Sequence, residues 1–321
     1  MFARDLSNSS ERYVTSLRAM DLRQLNALLS VAEHGSFSAA ARALHTVQSN
    51  VSTHVARLER ELGTTLIDRA NGSLTAEGEV VAARARRIQS ELDALMSDVA
   101  SLNDEVAGHV RVGVIGTTAR WLVPHLMVAM TERHPKVHVV VVDATTTSLV
   151  PQLETGHLDL AIVNLPLHDP DVTSVELFDE DHVLIAPVGH PLHDRARVTL
   201  QDLDGVPLLL EPQGTGFRDH LDEEAAAAGI TLTPQAEVDG MRLLASLAFQ
   251  GFGAGVVPAS AVPGRTNLEW RQIPLDGLER RSVGLASRRR GLPSAPARAL
   301  TEVLRHVITT EGADEAGIYP R

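Results

Sequence analysis

Between Ser36 and Gly63 the chain reads SFSAAARALHTVQSNVSTHVARLERELG, where a side-chain amide and several hydroxyls fall on one face of a predicted helix. Val47, Val51, Val55, Leu58 and Leu62 recur at helical spacing and form an apolar stripe. Ser49, Ser52 and Thr53 project from roughly the opposite side, with Gln48 at the border. A face of small hydrogen-bonding groups is one that a DNA groove accepts. Ahead of it, Ser36 is the candidate N-cap of a shorter helix, whose Ala39, Ala40 and Ala43 let a second helix cross closely. His45 and Thr46 supply the turn, Thr46 is expected to cap the following helix, and Gly63 offers a left-handed stop. The pattern is that of a helix-turn-helix.

Other elements must hold this pair in place. Asp21–Glu33 is an amphipathic helix with Leu22, Leu25, Leu28, Leu29 and Ala32 inward, and Leu66–Leu74, around Asn71-Gly72, reads as a short hairpin or wing. Thr75 is the expected cap of a long helix. Along that helix Val81, Ala85, Ile88, Leu92, Leu95, Val99, Leu102 and Val106 keep a heptad spacing. The seam is either a dimerisation surface or a face packed on its own domain; the solidly polar opposite face favours dimerisation.

Beyond Gly108 the pattern changes to continuous apolar runs, VRVGVIG, VHVVVVDA and LDLAIVN, alternating with helices, which predicts a parallel sheet covered on both faces. A second block begins near Pro187, with strands GVPLLLE, Gln235–Val238 and GAGVVP, and helices Phe217–Ala228 and Met241–Gln250. The chain then returns to the first block through Leu268–Pro274 and Ser282–Ala286, and ends in a helix over Ala295–Thr309. Two lobes that share crossovers make a hinge with a cleft.

Composition narrows the function. The 321 residues carry a net charge of −12, which disfavours a general nucleic-acid coat. Over 21–75 the arginines are balanced by acids, so the predicted DNA-binding region is near neutral. There are no cysteines, which excludes disulfides, thiolate metal sites and thiol redox switches. No run reaches the roughly 18 apolar residues of a membrane span and the amino terminus lacks a secretory apolar core, so a cytoplasmic location is expected.

Together these features resemble the LysR-type transcriptional regulators. The stretch AAARALHTVQSNVSTHVARLERELGTTLIDR is similar to the amino-terminal signature of that family, and Leu74-Thr75 with Gly78 to its entry into the linker helix. The resemblance implies an α/β protein with an all-α amino-terminal part: a winged helix-turn-helix, a long linker helix and a two-lobed effector domain like the periplasmic binding proteins. The expected boundaries are an extension over 1–20, the DNA-binding domain over 21–78 and the dimerisation helix over 79–107. The effector domain follows over 108–312 (lobe I about 108–186 and 264–312, lobe II about 187–263), then a tail over 313–321. Translation could start at Met1 or Met20.

The resemblance implies that Gln48, Ser49, Ser52 and Thr53 face the major groove, where glutamine pairs with adenine and hydroxyls read bases or phosphate. Asn50, Ser36 and Arg57 join the contact set. Arg69 pairs either with phosphate or with Asp68 or Glu61. The wing offers no further arginine, which predicts weak backbone anchoring and a shallow salt dependence. The cleft of the family implies an effector wall at Thr117 and Thr118, at a helix start that favours a small organic anion, unless these threonines only cap that helix. Thr145 and Thr146 form a second wall, and Gln213, Gly214, Thr215 and Gly255 line the other lobe. The implied partners are promoter DNA, an effector, a second or fourth copy of the chain, and RNA polymerase. No membrane partner, cofactor, metal or catalytic residue is expected.

Other motifs are weak. His134 and His138 are separated by Pro135 and enter a strand, so they suit a surface role better than a metal. Gly251, Gly253 and Gly255 precede a strand and do not make a dinucleotide fingerprint, Gly214 and Gly216 lack a P-loop lysine, and no serine occupies a nucleophile elbow.

Overall fold

The computed structural model describes residues 20–101, 106–263 and 269–321. The expected extension, Met20 apart, lies outside the described residues, as do Leu102 of the seam and Leu268. The chain divides into two compact units, Met1–Asp93 and Ala94–Arg321.

In the first unit, helices α1 (Leu22–His34), α2 (Phe37–Ala43) and α3 (Gln48–Leu62) precede the start of a long helix, α4 (Ala76–Ser101). Asp21 and Gln24 form a reciprocal capping box at α1, and Gly35, at φ 69°, closes it. Ser36 caps α2 by accepting the Ala39 N–H at 3.2 Å, and Thr75 caps α4 by accepting that of Gly78 at 3.0 Å. The core joins Leu25, Leu28 and Val31 to Ala40, Val51, Val55, Leu58, Leu66 and Ile67. Leu22 is exposed, because it opens α1 ahead of the buried stripe. Ile67 and Leu74 make the single bridge of the wing.

Two expectations at α3 are corrected. Thr46 does not cap it: the N-cap is Val47, in extended backbone, with no side-chain bond to the helix. Lying outside the first turn, Val47 is 60% exposed and leaves the buried stripe, as Leu62 does at the other end. The α4 seam divides. Val81 and Ala85 pack into the core of the first unit, whereas Ile88, Leu92, Leu95 and Val99 are exposed.

Among the described residues, the second unit contains two six-stranded sheets. The strands are β1 (Gly108–Val114), β2 (Val137–Asp143), β3 (Leu160–Asn164), β4 (Val172–Glu180), β5 (His182–Pro187), β6 (Val198–Thr199), β7 (Pro207–Leu210), β8 (Thr233–Glu237), β9 (Ala254–Pro258), β10 (Trp270–Asp276), β11 (Arg281–Arg288) and β12 (Ile318–Pro320). The first sheet runs β12-β4-β11-β3-β1-β2 and the second β6-β10-β5-β9-β7-β8. Helices α5 (Gly116–Arg133), α6 (Thr146–Glu154) and α9 (Ala295–Glu311) belong to the first lobe, and α7 (Gly216–Ala227) and α8 (Met241–Phe249) to the second.

Neither sheet is wholly parallel. β1 is parallel to β2 and β3, but β11 runs antiparallel to β3 and β4, and β5 antiparallel to β9 and β10. The lobe boundaries also differ from expectation. β5 and β10 both belong to the second sheet, so the chain crosses at Asp181 and again between Asp276 and Arg281. The expected tail contains β12, paired antiparallel with β4 through Ile318 and Glu180.

Candidate DNA-binding and effector sites

On α3 the stripe of Val51, Val55 and Leu58 is buried, which turns Gln48, Ser49, Asn50, Thr53 and Arg57 to the exposed side and leaves Ser52 half-buried. The N-cap Val47 offers no side-chain acceptor to the first turn of α3, where the Asn50 N–H bonds the Val47 carbonyl at 3.0 Å, so the Gln48 and Ser49 N–H groups are the ones open to an anion such as phosphate. Asn50 spends an amide N–H on the Thr46 hydroxyl at 3.0 Å. The Thr53 hydroxyl donates to the Ser49 carbonyl at 2.7 Å, so toward a ligand it presents acceptor lone pairs.

Arg69 has a partner that neither alternative named. It donates to Glu59 at 3.3 Å and lies 5.9 Å over the Phe37 ring. The other oxygen of Glu59 accepts the Leu66 N–H at 2.9 Å, so this carboxylate ties the wing to α3. Gly72 adopts φ +75°, and a Cβ there would lie 2.3 Å from the Gly35 carbonyl oxygen, so the tip of the wing closes directly against the α1–α2 turn.

In the first lobe the effector candidates meet at one sheet edge. Val114 pairs with Asp143 in parallel register, so the starts of α5 and α6 follow the carboxyl ends of adjacent strands. Thr118 is fully buried, and its hydroxyl has no hydrogen-bond partner among the described residues. Thr117 accepts from Arg281 at 2.8 Å, and Thr146 from the Asn164 N–H at 3.0 Å. Thr145 lies 3.0 Å from the Thr147 hydroxyl.

In the second lobe, Gln213 and Gly214 are exposed. The Gly214 N–H donates to Asp219 at 2.9 Å, and Thr215 donates to the Pro212 carbonyl at 2.9 Å. Gly255 is a correction. It lies inside β9, paired with both β5 and β7, and its Cβ position is 2.8 Å from Leu244, so its backbone does not face a ligand.

Several residues with no sequence signal join the candidate site. Arg242, at the start of α8, reaches across to Asp143 at 2.5 Å, and both side chains crowd Gly116. Arg120 of α5 donates to the Ala261 carbonyl at 2.7 Å. Two cationic poles, the α5 amino end and Arg242, therefore converge on one internal carboxylate. At the start of α8, Glu211 accepts from the Gly240 and Met241 N–H groups; burial and then the Asp239 carboxylate push its pKa up. Beneath the crossover His182 is buried, its pKa lowered to about 4 by that burial and by the adjacent Arg281 charge.

The expected surface role of His134 and His138 takes a specific form: His134 ends α5, and His138 stacks edge-on with His109 at 5.2 Å across the β1–β2 pair. Among the described residues no group of three or more His, Cys, Asp or Glu could hold a metal.

Comparison with known proteins agrees with this architecture. Residues 22–79 match the bacterial regulatory helix-turn-helix protein family of lysR type, and residues 103–309 match the LysR substrate binding domain. The chain belongs to the LysR family of DNA-binding transcriptional regulators. It is 34% identical over 299 residues to a "Probable hydrogen peroxide-inducible genes activator" of Streptomyces viridosporus, covering 91% of this chain and 95% of that one. It is 29% identical to the "DNA-binding transcriptional dual regulator OxyR" of Escherichia coli, covering 90% and 95%. A solved structure of full-length OxyR from Pseudomonas aeruginosa, with a cysteine replaced by aspartate, superposes with a TM-score of 0.73 at 27% identity, covering 91% and 95%.

Proposed function

We propose that the protein binds promoter DNA as a dimer, with α3 of each copy in the major groove, and answers to a small organic anion received between its lobes. The observation that carries the DNA part is the division of α3: Val51, Val55 and Leu58 are buried, and the amide and hydroxyl groups of Gln48, Ser49, Asn50 and Thr53 face outward. Arg57, Ser36 and the uncapped first turn of α3 supply phosphate contacts. The exposed Ile88, Leu92, Leu95 and Val99 support α4 as the dimer seam. Two recognition helices then read half-sites about one DNA turn apart. Pairing of effector units would build a tetramer, and a protein bound at promoters in the cytoplasm is placed to touch RNA polymerase.

The anion would enter where Gly116–Thr118 and Arg242 converge, with the Thr118 hydroxyl as an added donor. Asp143 holds Arg242 now, so the ligand carboxylate must replace it. The relatives named for hydrogen peroxide suggest a different signal. These 321 residues hold no cysteine, so no peroxide response here could pass through a thiol.

The test is fluorescence anisotropy on DNA flanking the encoding gene. The paired variant Gln48→Ala/Ser52→Ala is expected to lose sequence-specific binding, by about tenfold or more for each base contact removed, with helical content unchanged. Wild-type affinity in that folded variant would remove α3 from the interface.

A further inference from the structure

Arg281 stands where the second crossing between the lobes enters β11. Its Nε donates to Glu180 at 2.8 Å, its Nη2 contacts the same carboxylate oxygen, and Nη2 also reaches Thr117 Oγ1 at 2.8 Å and Ser260 Oγ at 3.3 Å. Glu180 is fully buried at the end of β4, where the first crossing begins. Its other oxygen accepts the Ser260 N–H at 2.8 Å. One guanidinium therefore joins both crossings, the first turn of α5, and the short 3-10 turn Ala259–Ala261 that follows β9. A buried charge pair tolerates little displacement, because any donor pulled away leaves an unpaired charge in a poorly solvating interior.

Thr117 sits between Gly116 and Thr118, the residues proposed to receive the effector, and is itself buried. Its hydroxyl spends a lone pair on Arg281 and keeps its own proton for a second acceptor. Motion of the α5 start and geometry of the hinge are thus linked through one hydrogen bond. On the outer side of the same crossings, Asp181 binds Arg280 at 2.9 Å and accepts from Tyr319 at 2.7 Å, and its N–H donates to the Gly317 carbonyl at 2.8 Å. The hinge is held on both faces, and only the inner hold touches the cleft wall.

We propose that Thr117 is a positioning residue that couples the effector cleft to the interlobe hinge by anchoring Arg281. The proposal rests on the cleft reading for its biological use, but the coupling itself is testable without an effector. Amide hydrogen exchange of the full-length protein would compare wild type, Thr117→Val and Thr117→Ser. Valine keeps the shape and removes the acceptor; serine keeps the acceptor.

The Ser260 and Asp181 amides are expected to exchange about tenfold faster in the valine variant and at the wild-type rate in the serine variant, with α1–α3 unchanged. Hinge amides at the wild-type rate in a folded valine variant, or no recovery with serine, would overturn the proposal. Should the valine variant not fold, Arg281→Lys, which keeps the charge and loses the fork, must give the same hinge pattern or the proposal falls. Inorganic sulfate added to wild type reads the other question: absence of protection at Gly116–Thr118 removes the anion reading while the valine result still decides the coupling.

Discussion

His182 makes stability depend on pH in a way that can be measured at one residue. Its ring is enclosed under the crossover. Nδ1 lies 3.1 Å from the Glu279 carbonyl oxygen, Nε2 has no partner among the described residues, and the Phe217 ring lies 5.1 Å away. Burial first, then the Arg281 charge, bring its pKa from 6.5 to about 4, against the opposing hydrogen bond to the Glu279 carbonyl, with smaller contributions from His220 and Asp181. The folded chain therefore keeps the imidazole neutral while the unfolded chain protonates it. Above pH 6.5 neither state is charged and no penalty exists. As pH falls from 6.5 to 4 the unfolded state gains protons that the folded state refuses, and stability is lost. Between those two values the loss totals about 3 kcal/mol, of which ~2 kcal/mol is reached at pH 5.

Both tryptophans, Trp121 and Trp270, lie in the 94–321 unit, so urea unfolding followed by tryptophan fluorescence reports this unit alone. His182→Gln costs packing against Phe217 at every pH but cannot titrate. The variant should be less stable than wild type at pH 7.5, and the gap should shrink by ~2 kcal/mol at pH 5. A gap of constant size across that range would show that His182 does not carry the proton linkage, and would refute the account of its burial.

Leu92→Glu with Leu95→Glu places charges in the exposed α4 seam and should halve the solution mass in analytical ultracentrifugation with helical content retained; an unchanged mass would leave the seam without a partner. Gly72→Ala combines a left-handed backbone with a Cβ 2.3 Å from the Gly35 oxygen, so it should destabilise the first unit by about 1–3 kcal/mol in circular-dichroism melts and weaken operator binding. Arg242→Gln and Asp143→Asn should act in opposite directions on succinate binding measured by calorimetry: the first removes the counter-ion and weakens it about tenfold or more, and the second frees that counter-ion and strengthens it. Equal affinities in all three proteins would place the anion elsewhere.

How much of this was legible in the sequence depends on the length scale of each signal. The buried stripe of α3 was readable because Val51, Val55 and Leu58 repeat at the helical period. Val47 fits the same spacing yet is exposed, because its extended backbone precedes the first turn. Ser36 and Thr75 were local signals, and the structure uses both as the expected caps. The lobe boundary failed for a topological reason. The chain passes from β4 to β5 through Asp181 alone, and an apolar run such as HVLIAP carries no mark of which sheet it joins. β12 is three residues long and has no period to read. The Glu180–Arg281 pair joins residues 101 positions apart, and Arg242 meets Asp143 only because two lobes fold toward each other. The seam was ambiguous for a similar reason: Val81 and Ala85 answer to their own domain, and the exposed positions beyond them do not.

The cleft chemistry was half visible, and the missing half changes the argument for an anionic effector. A free helix amino end favours an anion simply by charge, but neither helix start here is free. Asp143 stands at α5 with Arg242, and Glu211 accepts from the first N–H groups of α8. On the proposed reading, an entering carboxylate would exchange with a carboxylate already in place, and the Coulombic gain would largely cancel. What remains to discriminate ligands is shape and any hydrogen bond that Asp143 cannot make, and the buried, unpartnered Thr118 hydroxyl supplies such a bond. Affinity for simple anions should accordingly be weak, and a ligand that also offers an acceptor to Thr118 should bind far better than its charge alone explains. On the proposed reading, release of Asp143 would untie the lobes, so binding and lobe geometry would be linked by the same exchange.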